Sequence, residues 1–283
     1  MRLTLLKTFS EKLANSTNSA KSLVCIGLDP DLTKMPIKDV FRFNQSIIDA
    51  TSDLVCAYKP NFAFYECLGL DGLVALERTV NHIRSQSSDV IIIGDCKRGD
   101  IGPSSAAYAD AMFQTWGFDA VTINAWGGKD TVEAFVSDER YGAFIWCRGS
   151  NPGSSDLQDL VVQTDGANKP LYEHLATKST EWGQGNLGLV VGATVPEQLN
   201  IVRNLCPASP ILIPGIGAQG GELKASVLYG VDTHGRSAII SSSRGILYAS
   251  SGKDYPRVAR EKTLELKSEI NSILDEAGKG WHS

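Results

Sequence analysis

Residues 90 to 101 read Val90-Ile91-Ile92-Ile93-Gly94-Asp95-Cys96-Lys97-Arg98-Gly99-Asp100-Ile101, and their change of character halfway along decides how the chain folds. The first five are apolar or small, with three consecutive isoleucines, which suits a strand buried on both faces. The remainder holds two carboxylates and two cations. Strand side chains alternate, so Asp95 and Lys97 are expected on one side and Arg98 on the other. Asp100 follows where the strand gives way to a loop. Two carboxylates flanking one ammonium at the end of a buried strand are costly to desolvate unless they perform chemistry.

The same kind of apolar run recurs on both sides of this stretch. Strands are predicted at 22–29, 54–60, 90–97, 120–125, 143–148, 187–193, 211–216 and 237–243. Amphipathic helical patterns lie between them at 40–51, 72–85, 104–116, 131–136, 196–205 and 221–229, and a last helix is expected at about 255–276. Buried β-branched strands alternating with helices imply a parallel sheet covered on its outer face. Eight such units are the content of a (β/α)8 TIM barrel; a doubly wound open sheet is the alternative. Polar and ionisable residues recur at the ends of many strands, namely Asp29, Lys59, Asp95, Lys97, Asn124, Ser150 and Arg244. A barrel gathers its site from many strand ends, whereas an open sheet concentrates it near one switch point, so the barrel is favoured.

The whole of 1–283 then reads as one barrel domain with an amphipathic N-terminal helix and one long connection at about 150–185. That connection begins SNPGSSDLQ, and its first part is expected to take part in a lid. A net charge of -5 argues against a general nucleic-acid or acidic-membrane binder. No stretch approaches a membrane span, and the N-terminal apolar set (Leu3, Leu5, Leu6, Phe9, Leu13) is too short a run for a signal peptide core. Cys25, Cys56, Cys67, Cys96, Cys147 and Cys206 form no CxxC pair, and those at 25, 56 and 147 sit in apolar runs. Buried free thiols and a cytoplasmic address are expected.

Late in the chain, Ile211-Leu212-Ile213-Pro214 leads into GIGAQGGE at 215–222, and the next strand ends in SSSRGI. Loops after the seventh and eighth strands commonly form a barrel's phosphate site. Glycines there let backbone amides approach a ligand, and Arg244 beside Ser243 offers a forked, permanently charged clamp. Asp29, Lys59, Asp95, Lys97 and Asp100 are expected to converge on the barrel mouth. None of His82, His174, His234 or His282 belongs to this group, and no nucleophile elbow is present. The reaction must run on lysine and aspartate.

With YKPNFAFYE before it and SNPGS, PGIGAQGG and SSSRGI after it, DCKRGDI resembles the orotidine monophosphate decarboxylase family. The matches run from Asp29 to Tyr248, and the KRGDIG and SNPGS wording is similar to a bacterial, type 2-like subgroup of slightly longer chains. The resemblance implies a cofactor-free and metal-free carboxy-lyase that converts orotidine 5'-monophosphate (OMP) to UMP and CO2 in pyrimidine biosynthesis. It implies Lys97 as the proton donor, Asp95 near the substrate carboxylate, and Lys59 and Asp100 completing a network that holds Lys97. Asp29 and Lys59 would contact the ribose, and Ser150 the pyrimidine edge. Gln219 would bridge phosphate and lid, with Ser243 and Arg244 holding the phosphate. Asp100 and Ser104 would enter the neighbouring subunit's site, which implies a homodimer. Ser104 stands where threonine is more usual, and its hydroxyl is kept.

Two other readings share these motifs. Metal-dependent sugar-phosphate decarboxylases of the same superfamily carry DxKxxD, but they present a glutamate from the second strand, where this chain has Lys59, whose charge would repel a magnesium ion. A catalytically inert nucleotide-binding barrel would be expected to have lost a member of the charged network. Here Lys59, Asp95, Lys97 and Asp100 are all present.

Overall fold

The computed structural model describes residues 7–164, 166–216 and 223–281. Eight parallel strands close into a barrel: β1 (Val24–Leu28), β2 (Ala57–Pro60), β3 (Ile91–Arg98), β4 (Ala120–Ile123), β5 (Gly142–Arg148), β8 (Leu187–Val191), β9 (Ile211–Pro214) and β10 (Ala238–Ser242), with β10 pairing back onto β1. Every predicted strand is found, with no end shifted by more than three residues. The open-sheet alternative is excluded by closure.

The two remaining strands lie in the long connection. It folds as a 3-10 turn at Pro152–Ser154, a short helix at Ser155–Gln158, an antiparallel hairpin of β6 (Val161–Thr164) and β7 (Ala167–Pro170), and then the helix Leu171–Trp182. That last helix packs on the barrel as its regular outer layer, so only about the first half of the connection is an insertion. No helix among the described residues is long and apolar enough to cross a membrane.

Two apolar layers hold the barrel. The outer one lies between strands and helices; it takes in Ile26, Ile92, Val121 and Ile145 from the strands and Phe43, Leu76 and Phe135 from helices. The inner one fills the barrel with side chains from all eight strands, among them Cys25, Ile93, Phe144, Leu212 and Ile239. The helix Phe9–Ala20 closes the N-terminal end of the barrel. It starts with a capping box in which Thr8 and Glu11 satisfy each other's backbone N–H. Its Phe9 and Leu13 join the inner layer, and Phe9 meets Phe144 edge to face at 6.0 Å. Gly142 permits this, since a Cβ there would collide with the Phe9 ring. Leu3, Leu5 and Leu6 lie outside the described residues. All six cysteines are free, with Cys25, Cys56, Cys147 and Cys206 buried.

Candidate active site

Above the inner apolar layer, the same inward positions become polar at the strands' C-terminal ends. Lys59 on β2 is 4% exposed, and its Nζ lies 2.7 Å from Asp95 Oδ2. Lys97 Nζ lies 2.6 Å from Asp95 Oδ1. One carboxylate is thus shared by two ammonium groups. Burial alone would raise the Asp95 carboxyl, but Lys59 and Lys97 outweigh it and hold it well below the usual range. Burial would likewise lower the Lys59 ammonium, and Asp95 and Asp29 outweigh that too, leaving it raised. Both groups are charged at neutral pH. Beneath them, burial pushes the Cys25 thiol up to about 12, so it is a neutral filler and not a nucleophile.

Strand alternation is not what brings Asp95 and Lys97 together. β3 runs in register with β4 at Gly94 opposite Val121, and next at Arg98 opposite Ile123. Three residues of β3 therefore face a single residue, Thr122, in a bulge, and Lys97 adopts a left-handed φ of 44°. Bulges re-aim side chains at sheet ends, and this one keeps Lys97 on the barrel side with Asp95. The expected result holds for a different reason. Arg98 faces away, as expected: it pairs with Glu66 and lies over the rings of Phe62 and Tyr108.

Asp29 follows β1 directly, and its Oδ1 is buried without a hydrogen-bond partner among the described residues. Its backbone oxygen accepts from the Tyr248 hydroxyl at 2.6 Å. Ser243 follows β10 and closely approaches β1 because Gly27 has no Cβ, which would strike Ser243 Oγ. Arg244 is exposed at the start of the short helix Arg244–Leu247 and makes no ion pair with a described residue. Gln219 lies outside the described residues. Ser150 is exposed at the rim against Gly192.

Asp100 and Ser104 do not join this cluster within the subunit. Both are exposed, and the Asp100 carboxylate accepts only from the Ile101 backbone N–H, at 2.8 Å. The expected convergence of five ionisable groups is thus four in one chain, since Asp100 sits on the outward turn into the helix Gly102–Asp110.

Two contributors went unread in the sequence. Thr122 hydrogen-bonds Asp95, and Arg148 anchors the insertion. The Arg148 guanidinium is buried and donates to Ser154 Oγ, to Gln158 Oε1 at 3.3 Å and to Asp159 Oδ2 at 3.0 Å. It thereby fixes the turn that carries Ser150. A hydroxyl at an inward strand position among apolar neighbours was the available signal for Thr122. For Arg148 the signal was a cation closing an apolar strand. These groups surround a cavity of about 200 Å3 walled by Lys59, Asp95, Lys97, Thr122, Ser150 and Pro214, among others. A larger hollow of about 480 Å3 adjoins it and shares Trp146 and Asn151, but its walls are largely apolar, with Trp126, Leu157, Leu171 and Trp182 among them. The ionisable cluster belongs to the smaller one.

The fold is a (β/α)8 barrel, the architecture of many enzymes, and its mouth gathers lysine and aspartate side chains. The chain matches the family model described as "Orotidine 5'-phosphate decarboxylase / HUMPS family" over residues 22–255, and it belongs to that family. It is 46% identical over 265 residues to orotidine 5'-phosphate decarboxylase of Dehalococcoides mccartyi, covering 93% of this chain and 97% of the relative. The Thermomicrobium roseum protein of the same name is 44% identical, with 97% and 99% covered. Among solved structures, Leishmania donovani OMP decarboxylase superposes with a TM-score of 0.82 at 34% identity, covering 94% of this chain and 98% of that one.

Proposed function

We propose that this chain decarboxylates OMP to UMP and CO2, and that the reaction centre is the Lys59, Asp95 and Lys97 cluster. The observation that carries the reading is the shared carboxylate: two ammonium groups within 2.7 Å of Asp95 at the barrel mouth, in a chain 46% identical to an orotidine 5'-phosphate decarboxylase. Loss of CO2 leaves its bonding electron pair on pyrimidine C6, with no carbonyl placed to delocalise it as an enolate. A preorganised ammonium lowers the energy of that pair electrostatically and then supplies the proton that replaces CO2. Lys97 has the role because its side chain is 39% exposed and lines the cavity, whereas that of Lys59 is nearly enclosed. Asp95 stands beside the leaving carboxylate, and Lys59 holds Asp95.

Binding follows the same placement. The unpaired Asp29 Oδ1 is an acceptor for a ribose hydroxyl, with Lys59 alongside. Ser150 addresses the pyrimidine edge from the turn that Arg148 fixes. Ser243 and Arg244 receive the phosphate, joined by Gln219, and these contacts, remote from C6, contribute to rate when they favour closure over the substrate. Asp100 and Ser104 serve the neighbouring subunit of a homodimer. They stand on an outward turn beside exposed Ile101 and Tyr108, 64% and 37% accessible.

The runner-up, a metal-dependent sugar-phosphate decarboxylase, is disfavoured because Lys59 holds Asp95 where a divalent ion would need that carboxylate free. The test is loss of OMP absorbance with and without EDTA. Undiminished turnover in chelator is expected. Inertness toward OMP, with metal-dependent turnover of a keto-sugar phosphate, overturns the reading.

A further inference from the structure

The bulge in β3 creates a local problem. Where three residues face one, the backbone N–H groups of Cys96 and Lys97 lose their regular acceptors on β4. A buried amide without a partner is costly. Thr122 resolves this with one atom. Its Oγ1 accepts from both Cys96 N and Lys97 N, each at 3.0 Å, and donates to Asp95 Oδ1 at 2.9 Å. A hydroxyl has one proton and two lone pairs, so every capacity of this side chain is used. Thr122 is 1% exposed.

Asp95 Oδ1 is also the oxygen that Lys97 Nζ contacts at 2.6 Å. Thr122 therefore grips Lys97 from both ends, at the backbone amide directly and at the ammonium through the shared carboxylate. The left-handed φ of 44° at Lys97 is unfavourable for a residue with a Cβ and persists only where the surroundings enforce it. The two backbone N–H hydrogen bonds to Thr122 Oγ1 supply that enforcement.

We infer that Thr122 is a positioning residue for the proton donor: its hydroxyl locks the β3 bulge and sets where the Lys97 ammonium stands relative to the reacting carbon. The inference rests on the proposed decarboxylation and names a residue through which the site is tuned. Because the hydroxyl acts on Lys97 and Asp95 rather than on the nucleotide's sugar or phosphate, its removal should act on the chemical step. Displacing a catalytic group by about 1 Å costs roughly 100-fold in rate.

The test compares Thr122→Val, which keeps the shape and removes the hydroxyl, with Thr122→Ser, which keeps the hydroxyl. Both are measured for kcat and KM with OMP and for UMP affinity. Thr122→Val is expected to lose about 100-fold in kcat with KM and UMP affinity within about threefold, while Thr122→Ser stays within about tenfold of wild type in kcat. Thr122→Cys, of similar size but a poor hydrogen-bonding partner, serves if the valine variant does not fold, and the same loss is expected. Equal rates in the valine or cysteine variant and wild type overturn the inference, as does a loss confined to KM or shared equally by the serine variant. Wild type that leaves OMP unchanged overturns the decarboxylase reading and this inference with it, a result distinct from an active wild type with an equally active Thr122→Val.

Discussion

The two ends of the barrel are built from the same strands with opposite chemistry. At the N-terminal end, inward positions meet Phe9 and Leu13 of the capping helix, which is tied down by Ser16 Oγ donating to the Cys56 carbonyl at 2.6 Å and by Lys12 Nζ reaching Asp119 Oδ1 at 3.3 Å just before β4. At the C-terminal end, the inward positions carry Lys59, Asp95 and Thr122, and each polar group is held by another. At the floor the inward positions are apolar and the charged group of Asp119, Lys12 and Arg84 pairs beside them, whereas the mouth places its charges on the inward positions themselves. The difference teaches where energy is gained and where it is spent: apolar packing below stabilises a scaffold stiff enough to hold desolvated charges above. Variants at the floor should then cost mainly stability and spare turnover, and variants at the mouth should cost mainly turnover.

The largest expected effect sharpens the mouth's side of that comparison. Lys97→Ala and Asp100→Ala proteins are each expected to lose at least about 1000-fold in turnover, because each breaks every site in its own dimer. Mixed and allowed to exchange subunits, they should regain about a quarter of wild-type activity, since half the dimers then contain one intact site. No recovery, with exchange verified, would break the shared-site proposal.

The floor provides the next effect. Phe9→Ala removes a fully buried ring packed on Phe144 and is expected to cost about 3–5 kcal/mol in denaturant unfolding, with kcat for OMP within about threefold of wild type. A stable Phe9→Ala protein that has lost turnover would contradict the division between the two ends.

The smallest effect concerns the mouth's own contribution to stability. Asp95 is held below the ordinary carboxylate range and Lys59 above the ordinary ammonium range. Their contribution is therefore fully present between about pH 4 and about pH 10, where the unfolded groups are also ionised. It is lost as pH falls toward the depressed Asp95 value, and at the alkaline end as pH rises through the raised Lys59 value. The stability gap between wild type and Asp95→Asn should narrow on acidification from pH 6 to pH 3; a gap that stays constant would show that Asp95 carries no such pairing.

The barrel was legible because β-branched runs such as Ile91 to Ile93 suit only strands covered on both faces, and eight of them leave one common closed architecture. The Lys59, Asp95 and Lys97 cluster was legible from charges at strand ends. The bulge was not, because alternation alone already placed Asp95 and Lys97 together and gave no reason to look for one. Thr122 was missed for the same reason: its role exists only through a register shift against β3, which is a property of the pair of strands. The hairpin Val161–Thr164 with Ala167–Pro170 escaped because its two strands are short and largely exposed, lacking the buried pattern. Asp100 was expected to join the cluster, but it lies exposed on the turn into the helix Gly102–Asp110, where its carboxylate accepts from the Ile101 backbone N–H, because the chain turns outward after β3.

The central claim is that Lys97 delivers the proton that replaces CO2. Its most direct test is the rate of OMP loss for Lys97→Ala against wild type, with UMP binding measured on both proteins. The expected result is a fall in turnover of at least about 1000-fold with nucleotide binding retained. A Lys97→Ala protein that turns OMP over at the wild-type rate would contradict it.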